Sequence, residues 1–179
     1  MFCGKSTKMQ EDISRCWFEG NEYLEFDPME YIKNYGEWST MEYIVENYLK
    51  KMGNGSHFFI DESQFINTTF SKWVNILNEY RHITFHLYGL SRDCFNRPWD
   101  PFDSLKFYVN TANYTILSKK CNEEGCSSGL RATINKRTAG HTNLEHIPKK
   151  DYKTVCQECF DKDPGDAGLI KIIYTNKEK

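Results

Sequence analysis

No stretch of the chain approaches the roughly 18 consecutive apolar residues that a membrane-crossing helix needs, so no span is expected. The beginning lacks a charged start leading into an apolar segment and a small-residue cleavage site. Met1 runs instead into Phe2-Cys3-Gly4-Lys5, so no secretory signal is expected and the cytoplasm is the expected compartment. An excess of basic charge is missing too. With 23 Lys and Arg against 25 Asp and Glu, the net charge of -2 offers no footprint for sequence-independent nucleic-acid binding, which rests on many contacts to phosphate. No internal repeat or low-complexity tract interrupts the chain. Asn-x-Ser/Thr triplets at Asn54, Asn67 and Asn113 carry no glycan in a cytosolic protein.

What is present is enough for a packed core. The 179 residues fit one domain with at most a small appended lobe, and 39% hydrophobic and 15% aromatic content argues against disorder. Seven cysteines occur. Cys3, Cys16 and Cys94 are scattered, whereas Cys121, Cys126, Cys156 and Cys159 form two close pairs, which in a reducing compartment point to metal rather than disulfides.

Periodicity predicts an α/β core. A helix is expected over Thr7 to Phe18, opening straight after Gly4-Lys5-Ser6-Thr7, then a short strand over Glu22 to Phe26. Met41 to Met52 has apolar residues at helical spacing and stops at Gly53-Asn54-Gly55. The compact run His57-Phe58-Phe59-Ile60 reads as a strand buried on both faces of a parallel sheet. A helix over Phe70 to Tyr80 and a strand over Ile83 to Leu90 complete a right-handed parallel crossover. Beyond the break at Pro98 to Pro101, a helix over Phe102 to Val109 and a strand starting at Tyr114 to Leu117 are expected. From Cys121 onward Gly, Ser, Lys and Thr dominate between the cysteine pairs. The expected organisation is a core over 1–118, a metal-stapled lobe over 119–165 and a tail over 166–179.

Two elements carry the chemistry. Gly4-Lys5-Ser6-Thr7 is the second half of a P-loop, in which N–H groups at a helix start cradle phosphates, the lysine neutralises them and Ser6 binds Mg²⁺. Alone it is also an ordinary capped helix start. The strand that ends in Asp61-Glu62 adds weight, because a P-loop enzyme holds its hydrated magnesium with such an aspartate, here Asp61. Glu62 can point differently and take a hydroxyl proton as general base, or serve merely as a capping carboxylate. A complete P-loop, G-x-x-x-x-G-K-S/T, needs a glycine two positions before Met1 and a strand to feed it. The expectation is that the natural protein extends upstream, in preference to a degraded copy.

These residues resemble the thymidine kinase family. Met1-Phe2-Cys3-Gly4-Lys5-Ser6-Thr7 is similar to the tail of that family's G-P-M-F-S/A-G-K-S/T-S/T loop, and Ile60-Asp61-Glu62-Ser63-Gln64-Phe65 to its I-D-E-x-Q-F signature. Tyr88-Gly89-Leu90, with Arg97-Pro98-Trp99 downstream, parallels its G-L segment ending in K-P-F, and the cysteine pairs follow in family order up to Phe160. The resemblance implies a P-loop NTPase-like parallel sheet flanked by helices, with a small zinc-ribbon lobe and a lasso-like loop. It implies ATP-dependent phosphorylation of thymidine or deoxyuridine at the 5′-hydroxyl, in a homotetramer.

By the same resemblance, Gly4, Lys5, Ser6 and Thr7 hold the donor phosphates, Ser6 and Asp61 the magnesium, and Glu62 the 5′-hydroxyl proton. Met1, Phe65, Leu90, Trp99, Thr133 and Tyr152 would contact the nucleoside, though Phe65, Leu90 and Trp99 also read as plain core and Tyr152 as a surface aromatic. Three departures stand out. Cys94, beside Phe95, occupies a family phenylalanine position, Ile147-Pro148 replaces a Gly-Gly, and Asp27-Pro28-Met29-Glu30-Tyr31 lacks the arginine of a family D-T-R segment.

Cys156-Gln157-Glu158-Cys159 and the wider pair Cys121 to Cys126 together offer four thiolates, which favour a closed structural zinc site. The resemblance implies that this site anchors a loop between residues 127 and 151 that closes over the nucleoside. Two other classes compete: a catalytically silent kinase relative that binds a nucleotide or partner, and a zinc-ribbon interaction module.

Overall fold

The computed structural model describes residues 5–93, 96–108, 119–126, 131–132, 134–137 and 152–162. Met1, Gly4, Cys94, Phe95, Thr133, Ile147, Pro148 and the expected strand at Tyr114 to Leu117 lie outside the described residues. The chain divides into two compact units. The described residues of the larger are 5–91 and 98–108; those of the smaller are 92–93, 96–97 and everything from 119 onward.

In the larger unit, strands β1 (Tyr23–Phe26), β2 (His57–Ile60) and β3 (Thr84–Leu87) form a parallel sheet in the order β1-β2-β3. Phe26 pairs with Ile60, and Ile60 with Leu87. The fold is thus mixed α/β with a small parallel sheet. Phe58, Phe59 and Ile60 are fully buried, as a central strand covered on both faces requires. Their alternation sorts them between two layers. Phe58 and Ile60 pack with Phe26, Ile44, Leu49 and Trp73, while Phe59 packs with Met9, Ile13 and Cys16. Burial at this level is worth roughly 1.5–3 kcal/mol for each large apolar side chain.

Helix α1 (Lys5–Phe18) supplies the second layer, because Met9, Ile13 and Cys16 recur at helical spacing along one face. It closes at Gly20, whose φ of 75° lets Asn21 N–H reach the carbonyl of Cys16 and Gly20 N–H that of Trp17. Helix α2 (Pro28–Tyr35) was not predicted by periodicity, yet its signals are local. Asp27 accepts from the Met29 N–H, Pro28 opens the first turn, and Gly36 ends it at φ 74°.

Helix α3 (Met41–Asn47) is shorter than the expected Met41 to Met52. Tyr48 leaves helical geometry at φ -123°, ψ -67°, and a 3₁₀ turn follows over Leu49–Lys51. The break stacks Tyr48 on Phe58 at 5.4 Å and leaves Leu49 and Met52 buried, so core packing overrides the helical period. Helix α4 (Phe70–Glu79) is capped by Thr69 and anchored by Trp73. The expected helix over Phe102 to Val109 is a 3₁₀ turn at Asp103–Phe107 with Phe107 exposed: only Leu105 among its apolar residues is deeply buried.

Among its described residues the smaller unit contains two antiparallel pairs. Strand β4 (Lys119–Lys120) pairs with β5 (Arg131–Ala132), and β6 (Ile134–Arg137) with β7 (Tyr152–Val155), followed by helix α5 (Gln157–Lys162). Ile134, Val155 and Phe160 form its core, with Cys121 and Cys159 packed against them. Among the described residues, no helix is long and apolar enough to cross a membrane.

Candidate functional site

The carboxyl end of β2 and the beginning of α1 meet. Lys5, the first residue of α1, is buried, and its ammonium forms ion pairs with Asp61 Oδ1 and, at 3.1 Å, with Glu62 Oε1. Ser6 Oγ lies 3.4 Å from Asp61 Oδ2. Two residue pairs more than fifty positions apart, Lys5-Ser6 and Asp61-Glu62, therefore converge at the start of a helix, a setting that favours anions, while the hydroxyl and carboxylate offer hard oxygens to a small divalent cation. One lysine against two carboxylates leaves this cluster with a net negative charge. Thr7 sits on the exposed side of α1, along a shallow groove with Gln10, Glu11 and Ser14.

The turn after β2 is tightly specified. Asp61 accepts the Glu62 N–H through its own side chain at 2.8 Å. Ser63 donates its hydroxyl to the Ile60 carbonyl and its N–H to the Tyr88 carbonyl, both at 2.9 Å. Glu62 occupies the left-handed region at φ 44°, ψ 41°, a conformation that costs a non-glycine residue roughly 1–3 kcal/mol and persists where surrounding contacts impose it. Gln64, buried beneath the turn, donates to Glu62 Oε2 at 2.7 Å and accepts the Leu90 N–H at 3.0 Å. Sequence reasoning missed Gln64 as a working residue; its place within Ile60 to Phe65 was the available signal.

Phe65 and Trp99 touch edge to face at 5.3 Å, and Trp38 meets Phe65 in the same manner at 5.4 Å. Trp38, 41% exposed, thus joins this aromatic cluster, a placement that periodicity could not reveal. Trp99 Nε1 is buried and has no hydrogen-bond partner among the described residues. Leu90 is half-buried and tied to this region through Gln64. Tyr152 is half-buried at the start of β7 in the smaller unit, opposite Arg137.

The smaller unit has its own site. The sulfurs of Cys121, Cys126, Cys156 and Cys159 all lie within 4.8 Å of one another. A tetrahedral ion with metal–sulfur bonds of about 2.3 Å has sulfur–sulfur edges of about 3.8 Å. The Cys126–Cys156 separation is 3.8 Å. Cys156 N–H points at Cys121 Sγ at 3.3 Å, the kind of outer contact that steadies a thiolate ligand. Burial, then hydrogen bonds with Cys126, Cys156 and Cys121, push the Cys159 thiol up to about 12. Four crowded thiols cannot all ionise alone; a divalent cation reverses that balance. The donor set and spacing fit a metal ion such as zinc. No family model and no curated protein matches the chain.

Proposed function

We propose that the chain is a nucleoside kinase of the thymidine kinase type, transferring the terminal phosphoryl group of Mg-ATP to the 5′-hydroxyl of thymidine or deoxyuridine. The observation that carries this reading is the convergence of Lys5 and Ser6 with Asp61 and Glu62 at a helix start and a strand end. Open parallel sheets bind ligands outside the carboxyl ends of their strands, and the position of this cluster at such an end supports reading the core as P-loop NTPase-like. Gly4 to Thr7 hold the donor phosphates, and Ser6 and Asp61 hold the magnesium that accompanies them. Glu62 accepts the proton as the 5′-oxygen bonds to phosphorus and the bond to the bridging oxygen of ADP breaks. Phe65, Leu90 and Trp99 form a wall of the nucleoside site. Zinc on the four cysteines is structural, and a cytoplasmic homotetramer completes the reading.

The test is formation of nucleoside monophosphate from thymidine and Mg-ATP. Product is expected from the chain, or from a version extended upstream; it drops by about 10²–10⁴-fold in Glu62→Gln and by about 10²–10³-fold in Lys5→Ala. Folded, zinc-loaded protein that forms no product in either version overturns the reading.

One observation favours a second reading, a silent relative that binds nucleotide without turnover. Asp27 accepts the Met29 N–H as the cap of α2, and no cation occurs over residues 27–31 to steady a transferring phosphoryl group. This reading predicts saturable ATP binding with no monophosphate formed.

A further inference from the structure

We infer that Gln64 is the positioning residue for Glu62, and that it locks the carboxylate to the nucleoside wall through Leu90. The inference rests on the kinase reading for its consequence in turnover, but the contact itself stands on geometry. Gln64 is only 4% exposed, so both ends of its amide must be satisfied. The Leu90 N–H is an obligatory donor and sits 3.0 Å from Gln64 Oε1. That contact fixes which way the amide faces, and the NH₂ group therefore meets Glu62 Oε2 at 2.7 Å.

Glu62 is thereby held at both oxygens. Oε1 takes Lys5 at 3.1 Å and Oε2 takes Gln64. When a phosphate draws Lys5 away, Gln64 is the contact that keeps the carboxylate aimed. The backbone beside it is shaped to admit the amide: a Cβ on Gly89 would lie 2.7 Å from Gln64 Oε1 and 2.8 Å from the Phe102 ring. The left-handed turn at Glu62 brings the two side chains, only two positions apart, onto the same side. Gln64 touches no reacting atom in this scheme; it acts through Glu62.

The experiment is a cycle of Gln64→Glu, Glu62→Gln and the double variant, read by both kinetics and thermal melting. Gln64→Glu keeps the acceptor for the Leu90 N–H, loses the donor to Glu62 and opposes two carboxylates. Its kcat is expected to fall about ten-fold with the nucleoside KM within about two-fold, and its melting temperature to drop by about 3 °C. The double variant restores an amide–carboxylate pair with the roles exchanged. It should melt near the unsubstituted protein and turn over no more slowly than Glu62→Gln alone. If Gln64→Glu does not fold, Gln64→Met, uncharged and of similar length, must show the same division between kcat and KM. Melting losses that simply add, or kinetics unchanged in Gln64→Glu, overturn the inference. Coupled melting in a protein that forms no monophosphate removes the kinase reading and leaves the Gln64–Glu62 lock in place.

Discussion

The Tyr88 hydroxyl donates to Asp12 Oδ2 at 2.8 Å, joining the residue that follows β3 to the middle of α1. Asp12 also receives Lys8 at 2.5 Å. Burial raises the Asp12 carboxyl, but the hydrogen bonds from Lys8 and Tyr88 outweigh it and hold the group below its ordinary value. This bond ties down the same helix that carries Lys5 at its first position. Tyr88→Phe is expected to cost about 1–2 kcal/mol in urea melts at neutral pH, as loss of a hydrogen bond to a charged acceptor does. The sign follows from linkage: a depressed carboxylate stabilises above its unfolded value near 4, and that contribution vanishes as pH falls through the lower folded value. The difference between Tyr88→Phe and the unsubstituted protein should therefore shrink toward pH 3.

A second prediction concerns the imidazoles. His86 stacks on Phe59 with 4.2 Å between ring centres, and its Nε2 lies 2.9 Å from His57 Nδ1. Burial, and then the facing His57, hold His86 down to about 4, with Asp12 opposing them. An imidazole depressed in the folded state stabilises fully above its unfolded value of 6.5 and progressively less as pH falls toward 4. Stability should decline over that window, and His86→Phe should flatten the decline. Denaturant midpoints at intervals between pH 7 and 4 are the measurement; an unchanged slope in the variant refutes the assignment.

A third addresses the close approach at Gly89. Gly89→Ala places a methyl where Gln64 Oε1 and the Phe102 ring already lie, so about 1–3 kcal/mol of overpacking is expected. The amide must shift, and on the kinase reading turnover should fall with it. A variant as stable and as active as the parent would show that Gln64 has room to spare.

The fourth is metal removal. Four thiolates around one ion make binding part of the folding free energy of the smaller unit. One zinc per chain is expected by elemental analysis. Chelation or Cys156→Ser should abolish the amide-exchange protection of the β6–β7 pair while that of Phe58 to Ile60 persists. Protection unaffected by a chelator would exclude a structural metal.

The parts of this molecule legible from sequence are those specified locally or by one-sided burial. Phe58 to Ile60 announce a doubly covered strand because three consecutive large apolar residues have no solvent face, and Met9, Ile13 and Cys16 mark the inner side of α1. Helix α2 was equally legible from Asp27, Pro28 and Gly36, but its apolar pattern is weak and a reading by period passes over it. The break at Tyr48 was not legible, since it follows from stacking on Phe58, a partner ten residues away. In the site, Lys5, Ser6, Asp61 and Glu62 declare themselves by residue type. Gln64 and Trp38 do not, because their roles depend on Leu90 and Phe65 lying beside them in space.

The paired state of Lys5 bears on selectivity among anions. With its charge already committed to Asp61 and Glu62, Lys5 has little left to offer an anion that arrives without a cation. An anion that took the lysine alone would leave two carboxylates facing each other without a counterion. On the proposed reading, a metal-complexed anion replaces the lysine's charge as it arrives, and a ligand that comes without its cation is disfavoured already in the ground state.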